Sequence, residues 1–316
     1  QNVAFSQGDS RILPASNPAA IATAVQADRF SGQTTNPVEI IILGGVGKDA
    51  EIATYSANLA KVEGIVAVTP PQTFGEDIRI VAYESMLPRT PEAQKMIHDI
   101  REITAPEGTL VGGVAADYTD SQDGISSTLP WALGWIALSV FILIFIFTGS
   151  IILPIKAVLL NVLSLAATMG VLTWVFIDGN LQWLVGSFTV TGTLDTSIVI
   201  LIAVVVFGLS MDYELFLLSR IKEEHDAGRS NIEAVATGLQ RSARIITAAA
   251  GLLAIVFASF MLSGVTSIKM LGFGVAFAII LDATLVRALL VPALMRLFGE
   301  RNWWAPKAMK RFTLDH

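Results

Sequence analysis

Two stretches of this chain are too long and too apolar to lie on the surface of a water-soluble protein. From Gly124 to Ile155 there is no charged residue, and from Ile245 to Ile268 there is none either. A helix that crosses a bilayer needs about 20 apolar residues, because the hydrocarbon layer is about 30 Å thick and each residue rises about 1.5 Å. In lipid the backbone must satisfy its own hydrogen bonds, so a helix is the form such a segment takes. The same criterion along the chain predicts five spans, at about 129–148, 153–176, 196–219, 245–263 and 268–296. Charged residues make up 15% of the whole, against about 25% in soluble domains. The deficit lies after Gly124, and residues before it have an ordinary globular mixture.

Lys and Arg in short loops set the orientation of a membrane protein. With the N-terminal part outside, the inner segments hold Lys156, then Arg220, Lys222, Arg229, Arg241 and Arg244, then Arg296, Arg301, Lys307, Lys310 and Arg311, while the short outer loops hold only Lys269. Trp131, Trp135, Trp174 and Trp183 fall near the expected outer boundary and Trp303 and Trp304 near the inner one, as an aromatic belt requires. The expected organisation is an extracytoplasmic domain over residues 1–125, a membrane domain over 126–298 and a basic cytoplasmic tail over 299–316. Ile232, Val235, Ala236 and Leu239 have helical spacing, which predicts an inner amphipathic helix at about 222–243. The connector 177–194 carries no Lys or Arg and is expected to lie along the outer interface.

In the first 125 residues, Ser16 and Pro18 predict a helix start. Alternation and helical periodicity then predict strands at 39–43, 65–68, 78–83 and 110–114, with helices at 49–62 and 91–103, the second capped by Thr90. That order is the β-α-β-β-α-β of a ferredoxin-like fold, so the fold class is an α+β domain followed by a membrane helical bundle. Gly44-Gly45-Val46-Gly47-Lys48 looks superficially like a phosphate loop. Ile42 stands where the first Gly belongs and Asp49 where Ser or Thr belongs, so an ordinary strand-to-helix turn is expected. The chain has no Cys, and His98, His225 and His316 are too scattered for a metal site.

Ionisable residues inside a span cost roughly 2.5–3.5 kcal/mol each on insertion scales and mark function by default. Asp212, about two turns from the inner end of span three, can gain and lose a proton, and Tyr213 offers a hydroxyl that can hydrogen-bond a carboxylate on a neighbouring helix. Glu214 is expected nearer the inner surface. Asp282 and Arg287 in span five are five apart and could pair only loosely along one helix. Arg220 reads as an interfacial anchor. Gly208, Gly251, Gly272 and Gly274 are expected to let helices pack closely around these charges. Together they predict a tightly packed bundle with protonatable groups inside.

Gly208-Leu209-Ser210-Met211-Asp212-Tyr213-Glu214 with Leu218-Ser219-Arg220 resembles the signature of the MMPL family of the resistance-nodulation-division superfamily. Asp282-Ala283-Thr284-Leu285-Val286-Arg287 with Leu290-Val291-Pro292-Ala293-Leu294 resembles that family's last span, and Gly299, Asn302-Trp303-Trp304 and Pro306 its following tail. The resemblance implies a secondary transporter of the bacterial inner (plasma) membrane, not an enzyme, that exports lipids or other hydrophobic molecules with protons as coupling ion and no further cofactor. It implies that each half supplies an Asp-Tyr pair to a proton relay, Asp212 and Tyr213 matching the second pair. Ser210, Glu214, Arg220, Asp282 and Arg287 are secondary coupling candidates.

The chain starts Gln1-Asn2-Val3 and holds one such half. The expected partners are therefore the bilayer, a lipid substrate, the first half of the transporter (on the same polypeptide or a separate chain) and further copies in a homo-oligomer, with no nucleic acid. Competing readings are an accessory or protein-export member of the superfamily and a non-transporting receptor. An intramembrane aspartyl protease would need motifs around Asp212 and Asp282 that the sequence lacks.

Overall fold

The computed structural model describes residues 5–29 and 36–306. The basic residues Lys307, Lys310 and Arg311 of the expected tail, and His316, lie outside them. The chain divides into two compact units, residues 1–129 with 193–196, and residues 130–192 with 197–316.

The first unit contains β1 (Phe5–Ser6), α1 (Pro18–Arg29), β2 (Val38–Ile42), α2 (Asp49–Leu59), β3 (Ile65–Val68), β4 (Gln72–Phe74), β5 (Asp77–Glu84), α3 (Pro91–Glu102), β6 (Thr109–Gly112) and the start of α4 (Val114–Thr148). The sheet runs β3-β5-β2-β6 with every neighbour antiparallel, and β4 adds a short pairing to β5. This is the ferredoxin-like order. The strand period of two explains the core: Val38, Ile40 and Ile42 of β2 are buried together with Ile78, Ile80 and Ala82 of β5. Ile52, Tyr55 and Leu59 of α2 and Met96, Ile97 and Ile100 of α3 close over them at helical spacing. The Thr90 hydroxyl accepts from the Ala93 amide at 3.4 Å and Pro91 opens the first turn of α3. α1 is capped one residue later than expected, by the Asn17 side chain, which accepts from the Ala19 amide at 2.9 Å. β1 pairs in parallel with β7 (Leu194–Asp195).

The glycine-rich segment is a turn. Gly44 and Gly47 have φ of +57° and +91°, which side chains with a Cβ rarely adopt. The Gly44 amide is taken by Asp77 Oδ1 at 2.9 Å, and Lys48 Nζ donates to the Glu107 carbonyl at 3.0 Å. Two of the groups that would cradle a phosphate are thus already engaged.

Among the described residues, five helices are long and apolar enough to cross a membrane: 114–148, 152–177, 196–226, 231–262 and 266–303. In the second unit these are the rest of α4, then α5 (Ile152–Leu172) with a π-helical end at Thr173–Ile177, a single turn α6 (Gln182–Val185), α7 (Thr196–Asp226), α8 (Asn231–Ser259) and α9 (Thr266–Leu281). The last helix continues through a π-helical stretch, Asp282–Leu290, into α10 (Val291–Phe298) and a tight turn at Gly299–Trp303. Its apolar window is the most buried of the five, half of it inside the unit.

Two expectations are corrected. Residues 222–243 do not form one separate amphipathic helix. α7 runs on to Asp226, and α8 starts afresh at Asn231 under a capping box in which Ser230 and Glu233 bond reciprocally. The strong Ser-x-x-Glu signal breaks the segment in two. The helix that carries span one also starts earlier than its apolar run: α4 begins at Val114, and Ala115, Ala116, Tyr118 and Thr119 are buried in the first unit.

Candidate functional site

α9 delivers Asp282 to the interior of the second unit, and the helix then widens. In an α-helix, residues five apart point about 140° from one another, which is why Asp282 and Arg287 were expected to pair loosely. A π-helix closes its turn from i to i+5, so here the two residues stand one above the other. They form a direct ion pair and are 6% and 3% exposed. α7 completes the site. Ser210 Oγ donates to Asp282 Oδ1 at 2.9 Å, and the Ser210 carbonyl accepts from Arg287 Nη2 at 2.6 Å. The guanidinium lies 5.0 Å from the centre of the Tyr213 ring, a cation–π contact. A cavity of about 10 Å³, enough for one water, opens among Ser210, Tyr213, Ala250, Asp282 and Arg287. Arg287 Nε is buried with no partner among the described residues, a donor left for such a water.

Burying a charge pair is costly unless its geometry and hydrogen bonds are good. Both carboxylate oxygens of Asp282 are engaged, and the guanidinium touches a carboxylate, a carbonyl and a ring. The arrangement can hold a fixed charge pair, or exchange a proton with a single water. It has no room for a lipid.

α7 sorts the signature by helical face. Ser210 and Glu214 are buried, whereas Gly208, Asp212 and Arg220 lie on the exposed side. Asp212 makes no hydrogen bond or ion pair with any described residue. The close packing expected around protonatable groups is not supplied to it by the described residues. Arg220 pairs with Glu223 at 2.8 Å and lies over the Phe216 ring.

Glu214, expected nearer the inner surface than Asp212, is 7% exposed, with Asn161 Nδ2 at 3.4 Å from Oε2. The helical period alone could have found this. Four residues place Glu214 under Ser210, while Asp212, halfway between, must point the other way. Lys269, read as an outer-loop residue, is 6% exposed in the first turn of α9 and donates to the carbonyls of Val185 and Met261 at 2.8 and 2.9 Å.

The packing glycines divide likewise. A Cβ on Gly272 would stand 2.6 Å from the Phe257 carbonyl of α8, and one on Gly274 2.9 Å from Ile202 of α7, so both permit close helix approach. Around Gly208 and Gly251 there is open space. The α7–α8 crossing depends on Gly238, which the sequence reading passed over; its Cβ would meet Ile221 Cα at 3.0 Å. Among the described residues no group of three His, Asp or Glu is placed to hold a metal ion.

The MMPL family profile matches residues 12–313. The chain is 36% identical over 306 residues to a membrane protein of Streptomyces coelicolor, covering 96% of this chain and 42% of the relative. It is 36% identical over 318 residues to the trehalose monomycolate exporter of Mycobacterium tuberculosis, covering 95% and 33%. It is 35% identical over 295 residues to a mycolic acid-containing lipids exporter of Mycolicibacterium smegmatis, covering 89% and 31%. The chain thus spans well under half the length of these relatives. Its ferredoxin-like strands β2 to β6, its five long apolar helices and its buried Asp282–Arg287 pair all fall inside the matched region, and the chain belongs to the MMPL family.

Proposed function

We propose that this chain is the C-terminal half of a proton-driven exporter of lipids or other hydrophobic molecules, set in the bacterial inner membrane with residues 1–125 outside. The exporter names of the relatives support the substrate class, and the Lys and Arg distribution supports the orientation. The observation that carries the coupling is the position of Asp212. It sits on the exposed side of a long apolar helix, and no described residue pairs with it. A carboxylate facing lipid would cost several kcal/mol, so intramembrane carboxylates face a protein interior or a cavity. The first half of the transporter is the natural partner, with its own Asp-Tyr pair at the same depth.

In this reading Asp212 carries the transported proton. Tyr213 links it to the buried pair, because its ring lies against Arg287. A change of charge at Asp212 then reaches the centre of the bundle across one side chain. Each proton moving down the membrane potential contributes about 2.3 kcal/mol per 100 mV, enough to bias two helix arrangements. The test is export by the complete protein in cells. Asp212→Asn is expected to abolish export at normal protein abundance, and Tyr213→Phe, which keeps the ring over Arg287, to reduce it less. Wild-type export by Asp212→Asn at normal abundance would remove Asp212 from the relay.

A further inference from the structure

We propose that Glu214 and Lys156 form a second proton-holding station, through which protons reach or leave the Asp282–Arg287 pair. The proposal rests on the proton-driven reading above and names residues that reading does not use.

Glu214 lies one turn below Ser210 on the buried face of α7, so the residue that holds Asp282 and the residue that would pass the proton share a stripe. A second cavity of about 10 Å³, again room for one water, lies between Glu214, Lys156, Leu160, Val291 and Met295. The charged groups within electrostatic reach of Glu214 are Arg287 and Asp282 on one side and Lys156 on the other. α10 presents only the apolar Val291, Leu294 and Met295 to this cavity. α5 faces the interior with Asn161 and Ser164, which are 5% and 3% exposed, and the Ser164 hydroxyl has no partner among the described residues. A buried hydroxyl without a partner is a place for water.

Lys156 provides the outlet. It is only half buried, donates to the Asn302 side-chain oxygen and stands 4.7 Å over the Phe298 ring. Its side chain lines the cavity, while its ammonium is held by Asn302 and Phe298. In the transfer step the Glu214 O–H bond breaks and the carboxylate keeps the electron pair. The water in the cavity takes the proton as hydronium and passes it along water, and Lys156 balances the carboxylate left behind. Reprotonation from water reverses the step, and no other bond changes.

The complete protein, reconstituted in liposomes loaded with a pH-sensitive dye, is given a pH step and the internal pH is followed. Glu214→Gln is expected to slow proton flux at least tenfold, and Glu214→Asp to retain it. Lys156→Gln is expected to move the pH of half-maximal flux upward, because losing a nearby cation lets the carboxyl hold its proton to higher pH. That shift is a readout that loss of packing alone would not give. Wild-type flux in folded Glu214→Gln overturns the proposal, and so does an unmoved pH profile in Lys156→Gln. No flux in the wild-type protein overturns the proton-driven reading itself. Wild-type flux in Asp212→Asn with loss in Glu214→Gln removes Asp212 alone and upholds this station.

Discussion

Each unit of this chain buries a carboxylate, and the two are treated in opposite ways. Glu84 ends β5 in the ferredoxin-like unit, is 0% exposed, and has both oxygens unpartnered among the described residues. Burial pushes its pKa up to about 7, with no neighbouring charge to oppose the rise. Asp282 in the helical unit is nearly as buried, but Ser210 and Arg287 occupy its two oxygens. The first carboxylate is accommodated by staying protonated, the second by being neutralised with a partner. Burial alone therefore does not decide the role of an acidic residue. The partner does, and the partnered one sits against a cavity and in a helix of irregular pitch.

The contrast can be broken most forcefully at Arg287. Arg287→Met leaves Asp282 buried without its cation and is expected to cost the helical unit about 3–5 kcal/mol. Adding Asp282→Leu removes the orphaned charge and is expected to restore most of that stability without restoring transport. Thermal unfolding in detergent, beside an export assay, reads both. A double variant no more stable than Arg287→Met would show that the pair is not coupled.

Glu84 gives the next effect, and its sign follows from linkage. Its folded-state pKa is raised, so the fold favours the protonated form. Stability is fully present below the unfolded value of 4.5, falls as pH rises from there, and levels off above about 7. The loss is expected to reach about 3 kcal/mol. Hydrogen exchange of the α2 and α3 amides should accelerate over that window, and Glu84→Gln should flatten the dependence. A wild-type profile already flat between pH 4.5 and 7 would mean that Glu84 is paired.

The smallest effect belongs to a charge pair in water. Arg79 bonds Glu39 at 2.8 Å across neighbouring strands, with both side chains well exposed. Exposed pairs are worth about 0–1 kcal/mol, so Arg79→Ala should leave the unfolding midpoint of the ferredoxin-like unit almost unmoved. A shift comparable to that of Arg287→Met would erase the distinction between paired charges in water and in the bundle.

Legibility differed between the units for physical reasons. In the ferredoxin-like unit, alternation along Val38–Ile42 and helical spacing at Ile52, Tyr55 and Leu59 announce both the element and its buried face, because one side meets water. The order of the four main strands followed, while the short β4 and the β1–β7 pairing did not. In the helical unit, hydropathy announces the spans and then falls silent, since lipid and protein interior are equally apolar. Which face of α7 is internal had to come from the polar residues, and there the sequence reading centred on Asp212 and undervalued Glu214. The Asp282–Arg287 pair was found as residues but not as a contact, because α-helical geometry was assumed where the backbone widens. Nothing in Asp282–Leu290 marks a π-helix by composition.

That widening also fixes a length. A π-helical stretch is an α-helix that has taken in one more residue than its pitch requires. The wide turn absorbs that residue, so everything after it, including the buried Val291 and Met295 of α10, keeps the face it would have in a helix one residue shorter. Removing one residue between Asp282 and Arg287 would let the helix close at normal pitch. Arg287 would then stand four residues from Asp282, still on its face of the helix, and α10 would keep its apolar side toward the core. A further insertion has no such turn left to absorb it and would rotate α10 by about 100°. Insertions, rather than the loss of one residue, are the changes this part of the gene has no room for.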